Sequence, residues 1–134
     1  MSDTRTDSPS GLAAPLIAAL AARTAAVGVI GLGYVGLPLA VAAARAGHPV
    51  IGFDVDAEKV DLLAAGRSYI ESVSPETLRA EIDGKRFTAT ADFSRLAACD
   101  VVVICVPTPL TRQREPDLGY VEQTVETIAR HRQA

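Results

Sequence analysis

The chain has 134 residues, of which 49% are hydrophobic, 13 are basic and 16 are acidic. This length predicts a single domain of ordinary size, and the formal net charge of −3 argues against nucleic acid as a partner, because no basic stripe exists to neutralise phosphates. The two cysteines, Cys99 and Cys105, have neither disulfide-framework nor metal-ligand spacing. We therefore expect two buried thiols, no metal site and a reducing, cytoplasmic location.

Residues 1–24 are predicted to form a tail and a short helix ahead of the main domain. The first ten residues are polar and favour disorder. Residues 12–22 are apolar, but the run is too short to span a bilayer and no basic cluster precedes it as in a secretion signal. We expect this run to be a short helix that packs on the domain, with no membrane association.

Residues 26–54 follow the order strand, glycine turn, helix, strand and acid. The apolar run 26–30 is rich in β-branched residues and predicts a buried strand. Residues 37–46 predict a helix that ends at Gly47, and residues 50–53 predict a second strand. This order and length fit one βαβ unit.

The turn between the first strand and the helix reads GLGYVG. Gly31 allows a sharp turn, Gly33 leaves space for a pyrophosphate near the backbone, and Gly36 allows close packing of the helix on the sheet. The helix N-terminus that follows offers N–H groups to phosphates. The turn predicts six dinucleotide-binding residues: Gly31, Leu32, Gly33, Tyr34, Val35 and Gly36.

Asp54 follows the second strand, where its carboxylate can accept hydrogen bonds from both hydroxyls of an adenosine ribose. The same carboxylate repels a 2′-phosphate, so Asp54 favours NAD over NADP. A purely structural glycine turn is the alternative, and the complete strand, turn, helix, strand and acid pattern argues against it. Lys59 lies in the first turn of a helix predicted over 57–65 and capped by Asp56; on the residues alone it is a solvated surface lysine.

The next predicted elements are a helix from Pro75 to about Asp83, capped by Ser74, and a short strand over 87–90. Asp92 is predicted to cap a helical turn. A helix is also predicted over 120–132, with its apolar face formed by Val121, Val125 and Ile128. The two histidines, His48 and His131, are predicted to lie on the surface.

The apolar run 101–106 predicts the fourth strand, and it ends in Pro107-Thr108. Ligands of open parallel sheets bind beyond the carboxyl ends of the strands, which places Pro107 and Thr108 on the cofactor side. A rigid proline loop without a ligand role is the alternative for this segment.

The elements together predict an α/β fold, a Rossmann-type doubly wound parallel sheet truncated to the strand order 3-2-1-4, over residues 25–134. The fourth strand would be an edge with unpaired backbone groups, which predicts self-association into a homo-oligomer.

Five segments resemble the N-terminal part of the UDP-glucose/GDP-mannose dehydrogenase family: GVIGLGYVGLPLA, GFDVDAEKV, GRSYIE, TATADFSRLAACDVVVICVPTPL and REPDLGYV. The resemblance runs from about Arg23 to the C-terminus and is closest to the UDP-N-acetylglucosamine and UDP-N-acetylmannosamine 6-dehydrogenases. It implies NAD as cofactor and a UDP-sugar as substrate, whose C6 alcohol is oxidised to the acid of a uronic acid for polysaccharide biosynthesis.

By this resemblance the glycine turn holds the pyrophosphate, Asp54 binds the ribose, Lys59 lies near it, and Thr108 contacts the cofactor. The charged loop 112–117 would border the substrate. The family's catalytic cysteine lies in a later domain that has no counterpart among these 134 residues. We therefore identify no catalytic residue here and expect the chain alone to be inactive.

Two other readings stay open at this point. One is a stand-alone NAD-binding or NAD-sensing module without chemistry of its own. The other is a β-hydroxyacid type of dehydrogenase, which shares the glycine turn; the VPTP and REPDLGYV segments argue against it.

Overall fold

The computed structural model describes residues 13–107, 112–113 and 118–131. The predicted N-terminal disorder, Thr108 and most of the charged loop lie outside the described residues. The described strands are β1 (Val27–Ile30), β2 (Val50–Phe53), β3 (Phe87–Thr90) and β4 (Val101–Ile104). The described helices are α1 (Ala13–Ala21), α2 (Gly36–Arg45), α3 (Ala57–Ala64), α4 (Pro75–Asp83), a 3₁₀ helix (Phe93–Ala98) and α5 (Gly119–His131).

The four strands form one parallel sheet in the order β3-β2-β1-β4, as predicted. Ile30 pairs with Phe53 on one side and with Ile104 on the other, and Phe53 pairs in turn with Thr90. All four strands therefore end at the same edge of the sheet. Within the described residues β4 has no outer neighbour, which agrees with its predicted edge position.

Two apolar clusters cover the two faces of the sheet. The larger cluster joins β1 and β2 to α2, α3 and α4, with Val29, Leu37, Leu63 and Leu78 fully buried. The smaller cluster lies on the opposite face around Phe53, whose ring centroid is 5.5 Å from that of Phe93 in the 3₁₀ helix. Helices on both faces are what a doubly wound parallel sheet requires.

Helix α1 forms where the sequence predicts it, but it adds no residue to the buried core. Two of its large apolar side chains stay exposed, Ile17 at 52% and Leu20 at 40%, while Leu16 is half-buried. The helix is apolar throughout, so it has no polar face to orient it against the domain.

The apolar face of α5 is also different from the predicted one. Val125 is exposed, Val121 and Ile128 are only half-buried, and Thr124 is the buried residue of this helix. The Thr124 hydroxyl donates to the Tyr120 carbonyl oxygen at 2.7 Å, which removes most of the cost of burying it. The helix packs on the 3₁₀ helix, and Ile128 contributes to the small apolar cluster that contains Leu96 and Phe93.

Candidate functional site

The carboxyl ends of β1, β2 and β4 surround a cavity of about 600 Å³. The residues that follow these strands form its floor: Gly31 after β1, Asp54 after β2, and Cys105 to Pro107 after β4. Gly31 donates its N–H to the Phe53 carbonyl oxygen at 2.8 Å, and Cys105 donates to that of Ile30 at 2.7 Å. These bonds extend the sheet ladder by one residue and hold the floor rigid.

The structure gives a different reason for the presence of a glycine at each position of the turn. Gly31 has φ of +97°, and a Cβ there would lie 2.5 Å from the Cys105 carbonyl oxygen. A Cβ on Gly36 would collide with the Gly31 carbonyl oxygen, so this glycine lets α2 start directly against the turn. A Cβ on Gly33 would meet nothing within 4 Å. The protein itself therefore gives no packing reason for Gly33, and the open space beside its backbone suits a ligand group.

The turn and the start of α2 present unused hydrogen-bond donors. No acceptor in the described part of the chain binds the four successive backbone N–H groups from Gly33 to Gly36. Val35, which precedes α2, makes no side-chain capping bond. Free N–H groups at a helix N-terminus, together with the helix dipole, bind anions such as a pyrophosphate.

Asp54 is held in place by the backbone around it. One carboxylate oxygen accepts from the Leu32 N–H at 2.9 Å, and the other accepts from the Asp56 N–H at 2.9 Å. Each oxygen keeps a further lone pair, because a carboxylate accepts about four hydrogen bonds. The half-buried side chain lines the cavity and can accept from a vicinal diol there.

Tyr69 is a residue of this site that the residue patterns do not single out. Its hydroxyl donates to the Leu32 carbonyl oxygen at 2.5 Å, across 37 positions of sequence. Burial, followed by the nearby carboxylates of Asp54 and Asp56, raises the pKa of the Tyr69 phenol, so the donor stays protonated. The only sequence signal was the GRSYIE segment quoted for the family resemblance.

Lys59 lies beside the same tyrosine. Its Nζ is 5.8 Å from the centroid of the Tyr69 ring, within cation–π range, and the half-buried side chain lines the cavity. The expected surface lysine is thus a lysine at the rim of the site.

The opposite wall of the cavity comes from α5. Six of its residues line the cavity: Tyr120, Gln123, Thr124, Thr127, Arg130 and His131. His131, predicted to lie on the surface, is half-buried and lines the cavity.

Six of the ten predicted cofactor residues line the cavity: Gly31, Leu32, Gly33, Asp54, Lys59 and Pro107. Tyr34 is 86% exposed and Val35 is also exposed, and neither residue lines the cavity. Gly36 is buried under the turn. Thr108 lies outside the described residues and stays a prediction.

The two thiols are half-buried, not buried as predicted. Burial is the main reason that the pKa of both Cys99 and Cys105 is raised, so both thiols are protonated near neutral pH. Cys105 lies on the cavity floor.

Neither a metal cluster nor a membrane-spanning helix is found in the part of the chain that the structure describes. No three side chains of His, Cys, Asp and Glu converge there to hold a metal ion. No helix there is long and apolar enough to cross a bilayer.

A parallel sheet of this order, with a glycine turn at a helix N-terminus and an acid after the next strand, defines a Rossmann-type dinucleotide-binding domain. Residues 25–134 match the NAD-binding domain of the UDP-glucose/GDP-mannose dehydrogenase family. The chain belongs to this family, and NAD is the cofactor of the domain.

Similar proteins are nucleotide-sugar dehydrogenases. A UDP-N-acetyl-D-mannosamine dehydrogenase of Pyrococcus horikoshii is 34% identical over 77% of this chain and 25% of its own length. A GDP-mannose 6-dehydrogenase of Pseudomonas aeruginosa is 38% identical over 76% of this chain and 24% of its own. The chain thus spans about a quarter of the length of the curated relatives it matches.

Solved structures agree with the fold. A UDP-glucose dehydrogenase of Pyrobaculum islandicum superposes with a TM-score of 0.78 at 32% identity, over 92% of this chain and 27% of that one. A GDP-mannose dehydrogenase of Pseudomonas aeruginosa, solved as a ternary complex, gives a TM-score of 0.74 at 36% identity, over 78% of this chain and 24% of that one.

Proposed function

We propose that residues 25–134 are the coenzyme domain of a nucleotide-sugar 6-dehydrogenase that oxidises the C6 alcohol of a UDP-sugar to the acid. A UDP-N-acetylhexosamine is the proposed substrate, for polysaccharide biosynthesis. The observation that carries the proposal is the cavity lined by Asp54 and by the open backbone of Gly33, the first of the four turn residues whose N–H groups bind no acceptor in the described part of the chain. The relatives that act on N-acetylated nucleotide sugars support the choice of substrate class.

Each half of the adenosine diphosphate moiety has a matching group in this cavity. The N–H groups from Gly33 to Gly36 bind the pyrophosphate, and the Asp54 carboxylate binds the adenosine ribose. Lys59, held near the Asp54 end by Tyr69, adds positive charge near the phosphates. Pro107 and Thr108 would follow β4 toward the nicotinamide half.

NAD, when bound, supplies the hydride acceptor. The residues of this chain bind the cofactor and orient it on a rigid sheet edge. Holding a reactant in a fixed orientation lowers the barrier of the reaction. The described residues place no activated nucleophile in the cavity, because the pKa of the Cys105 thiol is raised by burial.

The test is a calorimetric titration of the chain with NAD and with NADP, repeated on Asp54→Asn. The wild type should bind NAD and prefer it over NADP. Asn keeps one acceptor oxygen for the backbone but loses the charge, so NAD binding should weaken about ten- to hundredfold, which corresponds to charge-assisted bonds of about 1.5–3 kcal/mol.

The matched control is Asp61→Asn, which makes the same charge change at an exposed position of α3 outside the cavity. It should leave both affinities unchanged. Equal wild-type affinity for NAD and NADP would contradict the role of Asp54, and a chain that binds neither cofactor would contradict the proposed function.

A further inference from the structure

Tyr69 reaches the glycine turn from a well-anchored loop between α3 and α4. The next residue, Ile70, is buried, and so is Val73. The Ser68 hydroxyl donates to the Ile70 carbonyl oxygen at 2.9 Å and accepts from the Ile70 N–H at 3.3 Å. The anchored loop therefore holds the Tyr69 phenol in a fixed position against the turn.

The Tyr69 contact sets the direction of a backbone donor. The Leu32 carbonyl belongs to the same peptide plane as the Gly33 N–H, and a trans peptide directs these two groups to opposite sides. A hydroxyl that holds the Leu32 oxygen at 2.5 Å thus fixes the Gly33 N–H on the other side of the plane. That N–H is the first of the four free donors of the turn.

Leu32 is fixed by every group it has. Its N–H donates to Asp54, its carbonyl accepts from Tyr69, and its fully buried side chain packs against the backbone of Gly52. Asp54, the predicted ribose ligand, and Tyr69 therefore hold the two peptide planes on either side of one residue. A turn held in this way loses less entropy when a ligand binds to it.

We propose that Tyr69 is a positioning residue of the cofactor site, which orients the Gly33 N–H toward the pyrophosphate through the Leu32 carbonyl and holds the Lys59 ammonium at the rim. This inference rests on the proposed function and adds to it a residue that does not itself contact the cofactor. It predicts that the phenol hydroxyl matters for ligands with a pyrophosphate and not for those without one.

The experiment compares Tyr69→Phe with Ser72→Ala, using NAD, ADP and adenosine as probes in NMR titrations of the chain. Phe keeps the ring and its packing but leaves the Leu32 carbonyl without its donor. We expect NAD and ADP to bind about three- to tenfold more weakly, which is the effect of one hydrogen bond, while the affinity for adenosine stays the same. Ser72→Ala removes an exposed hydroxyl from the same loop, away from the Ser68 bonds that anchor it and from the turn, and should leave all three affinities unchanged.

The free protein gives a second, ligand-independent readout. The Gly33 amide resonance should shift in Tyr69→Phe and stay in place in Lys59→Met, because only the first variant releases the Leu32 carbonyl. Equal NAD affinity of wild type and Tyr69→Phe, or an equal loss for NAD and adenosine, would overturn the inference while leaving the proposed function intact. A wild-type chain that binds no NAD would overturn both.

Discussion

At the scale of single residues, the glycines of the turn divide into those that the fold needs and one that a ligand needs. A Cβ on Gly33 meets nothing, whereas a Cβ on Gly36 collides with the Gly31 carbonyl oxygen, and neither residue has a positive φ. We predict that Gly33→Ala keeps the free energy of unfolding and weakens NAD binding at least about tenfold. Gly36→Ala should lower the free energy of unfolding by about 3 kcal/mol.

Thermal unfolding and calorimetric NAD titration of both variants check this division. The pair serves as its own control, since both variants add one methyl group within the same turn. An unstable Gly33→Ala variant would show that the fold itself requires a glycine at position 33. An unchanged NAD affinity in that variant would show that the pyrophosphate does not bind beside Gly33.

The roles of these glycines are predictable from the sequence because they depend on neighbours within one βαβ unit. The contacts of Tyr69 are not predictable in that way. Its partner Leu32 is 37 positions away, and the contact exists only because the loop after α3 folds back over the turn. The two backbone bonds of Asp54 were also missed, although they decide how its carboxylate is oriented.

At the scale of elements, local signals predicted bounds well. The bounds of β2 and β3 agree with the prediction, and the expected caps form: Asp56 accepts from the Glu58 N–H, and Ser74 accepts from the Thr77 N–H. Capping depends on residues within one turn of helix, so it can be read from the chain. Which face of α5 is packed depends on where the 3₁₀ helix lies. The spacing of apolar residues along α5 carries no information about that position.

The edge strand β4 carries a prediction about association. Its residues Val101 to Val103 are half-buried, Ile104 is 37% exposed, and no described strand covers its outer side. Unpaired backbone groups on an apolar edge favour pairing with another chain. We predict that the chain self-associates, that Ile104→Lys shifts it toward monomer, and that sedimentation velocity at several concentrations detects the change.

Helix α1 supplies the control for that experiment, because it also exposes large apolar side chains. Ile17→Lys places the same charge on α1 and should leave association through β4 unchanged. A wild-type chain that sediments as a monomer at all concentrations would contradict the prediction. Loss of association only in Ile17→Lys would show that α1, and not β4, is the surface through which the chain associates.

At the scale of the whole molecule, the strand order followed from the sequence because few topologies satisfy it. A βαβ unit crosses over in the right-handed sense, and a fourth parallel strand that starts the second half of the sheet must pair beside β1. The alignment of all strand ends at one edge then follows, and with it the place of the site. The cavity wall formed by α5 could not be predicted from the sequence, because it depends on packing between distant segments.

The whole chain also permits a prediction about chemistry. Oxidation of an alcohol to an acid needs a hydride acceptor, a base for the hydroxyl proton and a group that captures the aldehyde. NAD provides the first, but the described residues provide no activated thiol, because burial raises the pKa of Cys99 and Cys105 and keeps both protonated. We predict that residues 1–134 alone produce no NADH from UDP-N-acetylglucosamine, UDP-N-acetylmannosamine or UDP-glucose, measured by absorbance with NAD in excess. Steady NADH formation that Cys105→Ser abolishes would show that the half-buried thiol on the cavity floor is a nucleophile after all.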